Sequence, residues 1–323
     1  MSNHRVNNMR NAIFDLLRIL LTFLVINVHI RIITGIKANF LEPYTWYTVP
    51  LFIVLSFFFF SNKPLILRLK RLFVPLVFWS AASFFIIHPN QLNLKNIFLQ
   101  VITGHVVNTP LYYLVLLIWF TIIYWLINRL PSRLKIIIYS LIIFVALLLE
   151  YSNINYSFFL PQLEVIKKSY GRLIELIKYV PIGLLFAFLK KKINNNHIFL
   201  VISIIFIPIY FAVSYIPQPA DFHFSGLKIL VGSIIIFSLM LGLSNFKFND
   251  KVNSVIHLLG KYSFGVYLSH YLLLETILKI NPTLKYFIDI NQILFLFLYT
   301  LSCYLFCFLF DFLTLRKFPF LVK

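Results

Sequence analysis

Residues 12–31 read AIFDLLRILLTFLVINVHIR. A helix needs about 20 mainly apolar residues to cross the ~30 Å hydrocarbon layer of a bilayer. Asp15, Arg18 and His29 interrupt this run, and it lacks the small-residue cleavage site that follows the apolar core of a signal peptide. The segment is therefore predicted to be retained as a first membrane-spanning helix.

The composition of the whole chain agrees with this first segment. Of the 323 residues 60% are hydrophobic and only 12% are charged, and the mean hydropathy is +0.88. A soluble domain has about 25% charged and about 45–50% apolar residues. The excess would have to cover the outside of a soluble protein. The composition therefore excludes a soluble enzyme, a disordered chain and a disulfide scaffold, and it predicts a polytopic membrane protein.

The apolar runs predict an all-α integral membrane helical bundle of about ten transmembrane helices, in a single domain over residues 1–323. The predicted spans are 12–31, 44–61, 72–87, 111–128, 134–150, 172–190, 197–215, 228–245, 256–278 and 291–315. An even number of spans places both termini on one side, and most of the 29 Lys and Arg residues fall in gaps on that side. The positive-inside rule makes that side the cytoplasm. Topology thus explains the basic excess, and no nucleic-acid partner is predicted.

Arg18 and His29 are the most informative residues of the first span. Ionisable groups inside spans cost roughly 2.5–3.5 kcal/mol each and are candidates for function. Eleven residues give about 16 Å of rise and bring the two side chains within about 20° of one helix face. Asp15 lies one turn before Arg18 and is predicted to form a structural pair with it.

Each of these two residues also has an ordinary explanation. Arg18 could extend to the headgroups, and His29 could be an interfacial histidine bonded to a carbonyl. Their alignment favours function instead. An imidazole is suited to take a proton from a hydroxyl near neutral pH, and a cation below it could hold a phosphate-bearing donor.

Two further motifs are candidates for the same site. The spacing of Arg68 and Arg71 directs two guanidiniums to one side of a helix. It is typical of a clamp for the phosphates of an anionic cofactor, and also of an ordinary basic inner loop. In the ninth span His270 lies about as deep as His29, so the two imidazoles are expected to approach each other. The alternative is a hydrogen-bonded core histidine.

The sequence contains no zinc motif, P-loop or nucleophile elbow. Its eight histidines do not cluster with carboxylates at ligand spacing, and no metal is predicted. Cys303 and Cys307 lie four apart inside one apolar run and are interpreted as small core side chains.

Taken together, these segments resemble the membrane-bound acyltransferase 3 family, whose bacterial members O-acylate cell-surface polysaccharides. The residues that carry the resemblance are Arg18 to His29, Val49–Phe57, Arg68 to Arg71, Leu111–Leu114, Gly183 and Tyr262–His270. Phe57 stands where a glycine is common in the family. The chain is similar to the short stand-alone members, which include capsule and exopolysaccharide O-acetyltransferases and the intercellular adhesin O-succinyltransferase.

The resemblance implies a bacterial plasma-membrane enzyme that uses cytosolic acyl-CoA, usually acetyl-CoA, as donor. The acceptor would be a hydroxyl of a polysaccharide or lipid-linked glycan. His29 would act as the general base, while Arg18, Arg68 and Arg71 would hold the CoA phosphates. Tyr112, Tyr113 or His270 would stabilise the oxyanion or orient the acceptor. Direct transfer and transfer through a covalent acyl-histidine both stay open. The formation of a homo-oligomer also stays open.

A membrane transporter or flippase that exports a glycan or lipid-linked intermediate is the alternative function. Such a protein would use intramembrane His, Asp or Glu for proton coupling. Acidic residues are scarce in the middle of the predicted spans, and the Gly/Pro-interrupted helices of inverted repeats are not evident. The sequence therefore favours acyl transfer.

Overall fold

The computed structural model contains helices and no strands over the residues that it describes, which are 11–37, 39–60, 64–104, 106, 109–151, 164–193, 195–216, 226–314 and 317–322. The α-helices, numbered α1 to α14 in chain order, are Ala12–Thr34, Glu42–Thr45, Thr48–Phe58, Leu65–Ile86, Leu94–Thr103, Tyr112–Ile127, Ser132–Tyr151, Glu164–Ile177, Tyr179–Lys192, His197–Ser214, Leu227–Gly242, Asp250–Ile280, Leu284–Ile290 and Gln292–Leu313.

Six of the described helices are long and apolar enough to cross a membrane, namely α1, α4, α7, α10, α11 (counted to Asn245) and α14. The prediction of a helical membrane protein is confirmed. The count of ten spans and the cytoplasmic termini stay predictions. Two predicted spans differ clearly from the structure, because each is divided between two helices: 44–61 between α2 and α3, and 172–190 between α8 and α9.

Proline explains both interruptions. Pro50 lies near the start of α3 and Pro181 near the start of α9. Proline has no backbone N–H and cannot bond to the carbonyl four residues earlier, which belongs to Trp46 or Ile177. Each helix therefore begins afresh two residues before its proline. The apolar character of the sequence continues across both breaks, so hydropathy alone does not show them.

α1 packs along α12 through a seam of three polar contacts. Asp15 Oδ2 lies 2.8 Å from His257 Nδ1, and Thr22 Oγ1–H donates to the Ser263 carbonyl at 3.4 Å. His29 Nδ1 lies 3.0 Å from His270 Nε2. The residue numbers of the contacts increase in the same direction along both helices, so α1 and α12 run parallel. On α1 they recur every seven residues, the repeat that keeps one face toward a parallel partner.

Close approach of these helices depends on Gly260. A Cβ built on Gly260 would lie 2.5 Å from Cβ of Asp15 and 2.6 Å from its carboxyl carbon. These distances are well below van der Waals contact, so only glycine admits the Asp15 side chain against α12 at this point. A similar approach occurs where α9 packs on α3, because a Cβ on Gly183 would lie 2.5 Å from the Val54 carbonyl oxygen.

The segment after α14 folds back onto the bundle. Leu321 and Val322 are buried, and Trp79 Nε1–H in α4 donates to the Leu321 carbonyl at 3.2 Å. Pro319 begins the short 3-10 turn that carries Leu321. This segment therefore forms part of the wall around the first turns of α4, where Arg68 and Arg71 lie.

Candidate active site

Asp15 holds Arg18 at one end of the α1–α12 seam. Nη1–H of Arg18 donates to Asp15 Oδ1 at 2.6 Å, one turn earlier in α1. Oδ2 of the same carboxylate contacts His257, so a guanidinium and an imidazole are both partners of Asp15. The Asp15 side chain is fully buried, whereas 28% of the Arg18 side chain is exposed. A buried carboxylate thus orients an arginine that still reaches the surface.

His29 and His270 meet at the other end of the seam. His270 Nε2 lies 3.0 Å from His29 Nδ1, and both side chains are buried. Each Nδ1 also lies near a carbonyl one turn earlier in its own helix, Val25 at 2.9 Å for His29 and Val266 at 3.1 Å for His270. The two imidazoles therefore approach each other, as the sequence predicts.

These contacts assign the tautomer of both rings. A carbonyl oxygen only accepts hydrogen bonds, so Nδ1 of each histidine carries the hydrogen. In neutral rings Nε2 of His270 then has the lone pair, and it accepts from Nδ1–H of His29. Nε2 of His29 is left unprotonated, and no described residue hydrogen-bonds to it. This is the tautomer that a general base requires.

Tyrosines surround the histidine pair. The ring of Tyr271 meets that of His29 edge to face, with centroids 5.5 Å apart. The ring centroid of Tyr267 lies 5.9 Å from that of His270 and 5.3 Å from that of Tyr113. The Tyr267 hydroxyl donates to the Pro110 carbonyl at 2.8 Å. The Tyr299 hydroxyl donates to the backbone carbonyl of His270. The imidazole of His270 is thus fixed through its ring and through its backbone.

The two tyrosines predicted near the oxyanion have different surroundings. Tyr113 joins the aromatic cluster beside His270 through Tyr267. Tyr112 is also buried, and it interacts electrostatically with Arg172 and Glu175. The role predicted for both residues stays a prediction, and the ring contacts favour Tyr113.

Arg68 lies inside the bundle, between α3 and α6. Its Nε–H donates to Thr121 Oγ1 at 3.1 Å, and Nη2–H donates to Ser56 Oγ at 3.2 Å. Among the described residues no carboxylate pairs with it. A half-buried guanidinium held by neutral hydroxyls favours an anion beside it.

A run of phenylalanines at the end of α3 separates Arg68 from Arg18. The Arg68 guanidinium lies 4.1 Å from the ring of Phe60 and 5.0 Å from that of Phe57. The Arg18 guanidinium lies 5.3 Å from the ring of Phe59. These distances are within the range of cation–π attraction. Residues 57–60 therefore bring the two cations to one region of the bundle.

Arg71 is exposed and faces a different space. Together with Lys70 it lines a cavity of about 580 Å³, whose apolar wall includes Leu67, Phe264 and Pro319. The joint role predicted for Arg68 and Arg71 in holding the phosphates of the donor stays a prediction. Arg68 contacts α3 and α6, whereas Arg71 faces α12 and the segment after α14.

A family model described as an acyltransferase domain, the acyltransferase 3 model, matches residues 11–312. The chain belongs to the acyltransferase 3 family. No curated protein and no solved structure matches the chain. The match covers α1 to α14 almost completely, so both the histidine pair and the arginines lie within the acyltransferase domain of this membrane protein.

The acyltransferase also contains a buried ion pair that the sequence analysis did not single out. Lys178 Nζ donates to Glu150 Oε1, and neither side chain is exposed. Oε2 of Glu150 accepts from the Gly226 backbone N–H at 3.1 Å, and Arg172 pairs with the buried Glu175 at 2.9 Å. The signal was present, since both Glu150 and Lys178 fall inside predicted spans. Glu150 of α7 thus contacts the residue between α8 and α9 and the residue that precedes α11, whereas the Arg172–Glu175 pair lies within α8.

Within the part of the chain that the structure describes, no group of three His, Cys, Asp or Glu side chains could hold a metal ion. Cys303 and Cys307 are buried free cysteines. Among the described residues, the candidates for chemistry that the seam brings together are an imidazole pair at one end and Arg18 at the other.

Proposed function

We propose that this membrane acyltransferase transfers an acyl group, acetyl in the simplest case, from acyl-CoA to a hydroxyl of a cell-surface polysaccharide or its lipid-linked precursor. The observation that carries the proposal is the order of groups along one helix. Asp15-oriented Arg18 lies near one end of α1, and His29, with its free Nε2, lies about 16 Å further along. The family match favours acyl transfer over the export alternative.

The arginines would bind the phosphates of the donor near the end of α1 that carries Arg18. Arg71 and Lys70 line an open cavity of about 580 Å³, and Arg68 and Arg18 lie deeper beside the phenylalanines. Charge-assisted contacts to phosphate are strong and suit guanidinium groups. The acyl group would then reach His29 on the thin pantetheine arm, because a charged nucleotide does not enter hydrocarbon. Positive-inside topology makes the Arg18 end cytoplasmic.

His29 provides the base at the other end. Nε2 of His29 takes the proton of the acceptor hydroxyl, whose oxygen attacks the thioester carbonyl. The carbon–oxygen bond forms, the carbon–sulfur bond breaks, and the leaving thiolate takes the proton from the His29 imidazolium. His270 holds Nδ1–H of His29 throughout, and so it acts as a positioning residue. Tyr113, which contacts the ring of Tyr267 beside His270, would assist in binding the oxyanion or the acceptor.

The test compares the wild type with H29A, each purified in lipid nanodiscs. We expect CoA release from acetyl-CoA to fall by about 10²–10⁴ in H29A, the usual contribution of a general base, with unchanged CoA binding. In cells, mass spectrometry of the surface glycan completes the test. Loss of ester groups at normal glycan yield supports transfer, whereas loss of the glycan itself supports export. Normal esterification by H29A at normal expression would contradict the role of His29.

A further inference from the structure

The contact between Asp15 and His257 has no part in the proposed transfer, yet it lies directly behind Arg18. His257 stands in the second turn of α12, and 27% of its side chain is exposed. Its Nδ1 lies 2.8 Å from Oδ2 of the buried Asp15 carboxylate. Arg18 contacts the other oxygen, Oδ1, at 2.6 Å. The two oxygens of one carboxylate thus contact two different partners, a side chain of its own helix and a side chain of α12.

This division restricts the geometry of Arg18. A carboxylate with both oxygens available can receive a guanidinium in the bidentate arrangement, with two parallel N–H···O bonds. The contact of His257 with Oδ2 holds that oxygen against α12, while Nη1 of Arg18 contacts Oδ1. Gly260 adds a second restriction, since it allows the Asp15 side chain to lie flat against α12. The carboxylate therefore cannot rotate freely, and the direction of the Arg18 guanidinium depends on α12.

The seam connects this end to the histidine pair. Asp15 and His29 are fourteen residues apart on α1, and their partners His257 and His270 are thirteen residues apart on α12. Both separations correspond to about 20 Å. The parallel helices are thus joined by a polar contact at the donor end and another at the base. A change at His257 acts on Arg18 without reaching His29.

We propose that His257 is a positioning residue for the donor: it holds Asp15 so that the Arg18 guanidinium is directed toward the phosphates of the acyl donor. The inference rests on the proposed function, because it takes the anion at Arg18 to be the phosphates of CoA. It adds to that function a residue of α12 on which donor affinity depends.

The test measures CoA binding to the full-length protein in nanodiscs by calorimetry, together with acetyl-CoA turnover. H257L removes the donor to Asp15 at similar volume. H257N keeps an amide N–H near the position of Nδ1, whereas H257Q places its amide near Nε2 and away from Oδ2. We expect a roughly tenfold higher Kd for CoA in H257L and H257Q, equal to about 1.4 kcal/mol. H257N should bind within twofold of the wild type.

The matched control is H197A, because His197 is an exposed histidine at the start of α10 that makes no side-chain contact with the residues of the seam. Its Kd should equal that of the wild type. The value of kcat at saturating acetyl-CoA should not change in any His257 variant, since His29 is untouched. If H257L does not fold, the comparison of H257N with H257Q still decides the question.

The outcomes separate the two proposals. If the wild type does not bind CoA, the proposed donor is wrong. If the wild type binds CoA and H257L and H257Q bind it equally well, the positioning role of His257 is overturned while the donor stands. A fall in kcat at saturation without a change in Kd would also overturn it, because that pattern places the effect at the base.

Discussion

Replacing His270 with leucine removes the nitrogen that accepts Nδ1–H of His29. In the wild type that hydrogen is shared between His270 Nε2 at 3.0 Å and the Val25 carbonyl at 2.9 Å. In H270L the carbonyl contact stays, so Nε2 of His29 should keep its lone pair. What is lost is the restraint on the ring. The base is therefore still present but is held less firmly toward the reacting atoms.

The magnitude follows from this partial loss. A buried hydrogen bond between neutral groups contributes about 0.5–1.5 kcal/mol, and 1.36 kcal/mol corresponds to tenfold in rate. We therefore expect kcat to fall by about 2–13-fold in H270L. This is far less than the 10²–10⁴-fold expected for loss of the base itself in H29A. The Km for acetyl-CoA should not change, because the arginines lie toward the other end of the seam.

The assay is acetyl-CoA turnover by nanodisc-reconstituted protein, with thermal unfolding measured in parallel. H270Q is the matched variant, because its amide oxygen lies near the position of Nε2 and can accept from His29. It should recover most of the kcat that H270L loses. Two results would refute the reasoning. Wild-type kcat in H270L would mean that the contact is only structural, and a loss as large as that of H29A would place His270 in direct contact with substrate.

Two further predictions concern the donor end. R68A and R71A should each raise the Km for acyl-CoA more than they lower kcat. The weaker binding of the donor should correspond to about 1.5–3 kcal/mol, the cost of a lost charge-assisted contact. If calorimetry shows unchanged CoA binding in both variants, these arginines only set the membrane topology. Sidedness is tested with single cysteines after both native cysteines are replaced by alanine. A cysteine at the exposed Ser132 should react with an impermeant maleimide only from the cytoplasm, and one at the exposed Lys285 only from outside. The reverse pattern would exclude entry of the donor at Arg18.

The elements that the sequence predicted well are those with a continuous local signal. The first span was predicted as 12–31 and is found as Ala12–Thr34. Asn11 caps its start, since its side chain accepts from Ile13 N–H at 2.9 Å. Hydropathy gives such helices because every backbone group in lipid must be bonded within the helix. The same signal failed at Pro50 and Pro181, where the missing N–H divides an apolar run into two helices.

The candidate site shows the same limit. Helix geometry was enough to align Arg18 with His29, since both lie on one helix. The spacing of Arg68 and Arg71 did not give their surroundings, because it does not say which neighbouring helix each guanidinium meets. His257 carried no signal of its own. Its role depends on its contact with Asp15, which is 242 residues away in the chain.

The sequence by itself determined that this protein is an apolar helical membrane protein, that its first helix aligns a cation with an imidazole, and that its motifs resemble the acyltransferase 3 family. These properties depend on composition and on the fixed periodicity of one helix. Only the tertiary structure decided that α1 and α12 run parallel, that His270 restrains the ring of His29, and that the two oxygens of Asp15 contact Arg18 and His257. Such contacts join residues far apart in the chain, and their geometry is set by packing, including the absence of a Cβ at Gly260, rather than by any local pattern.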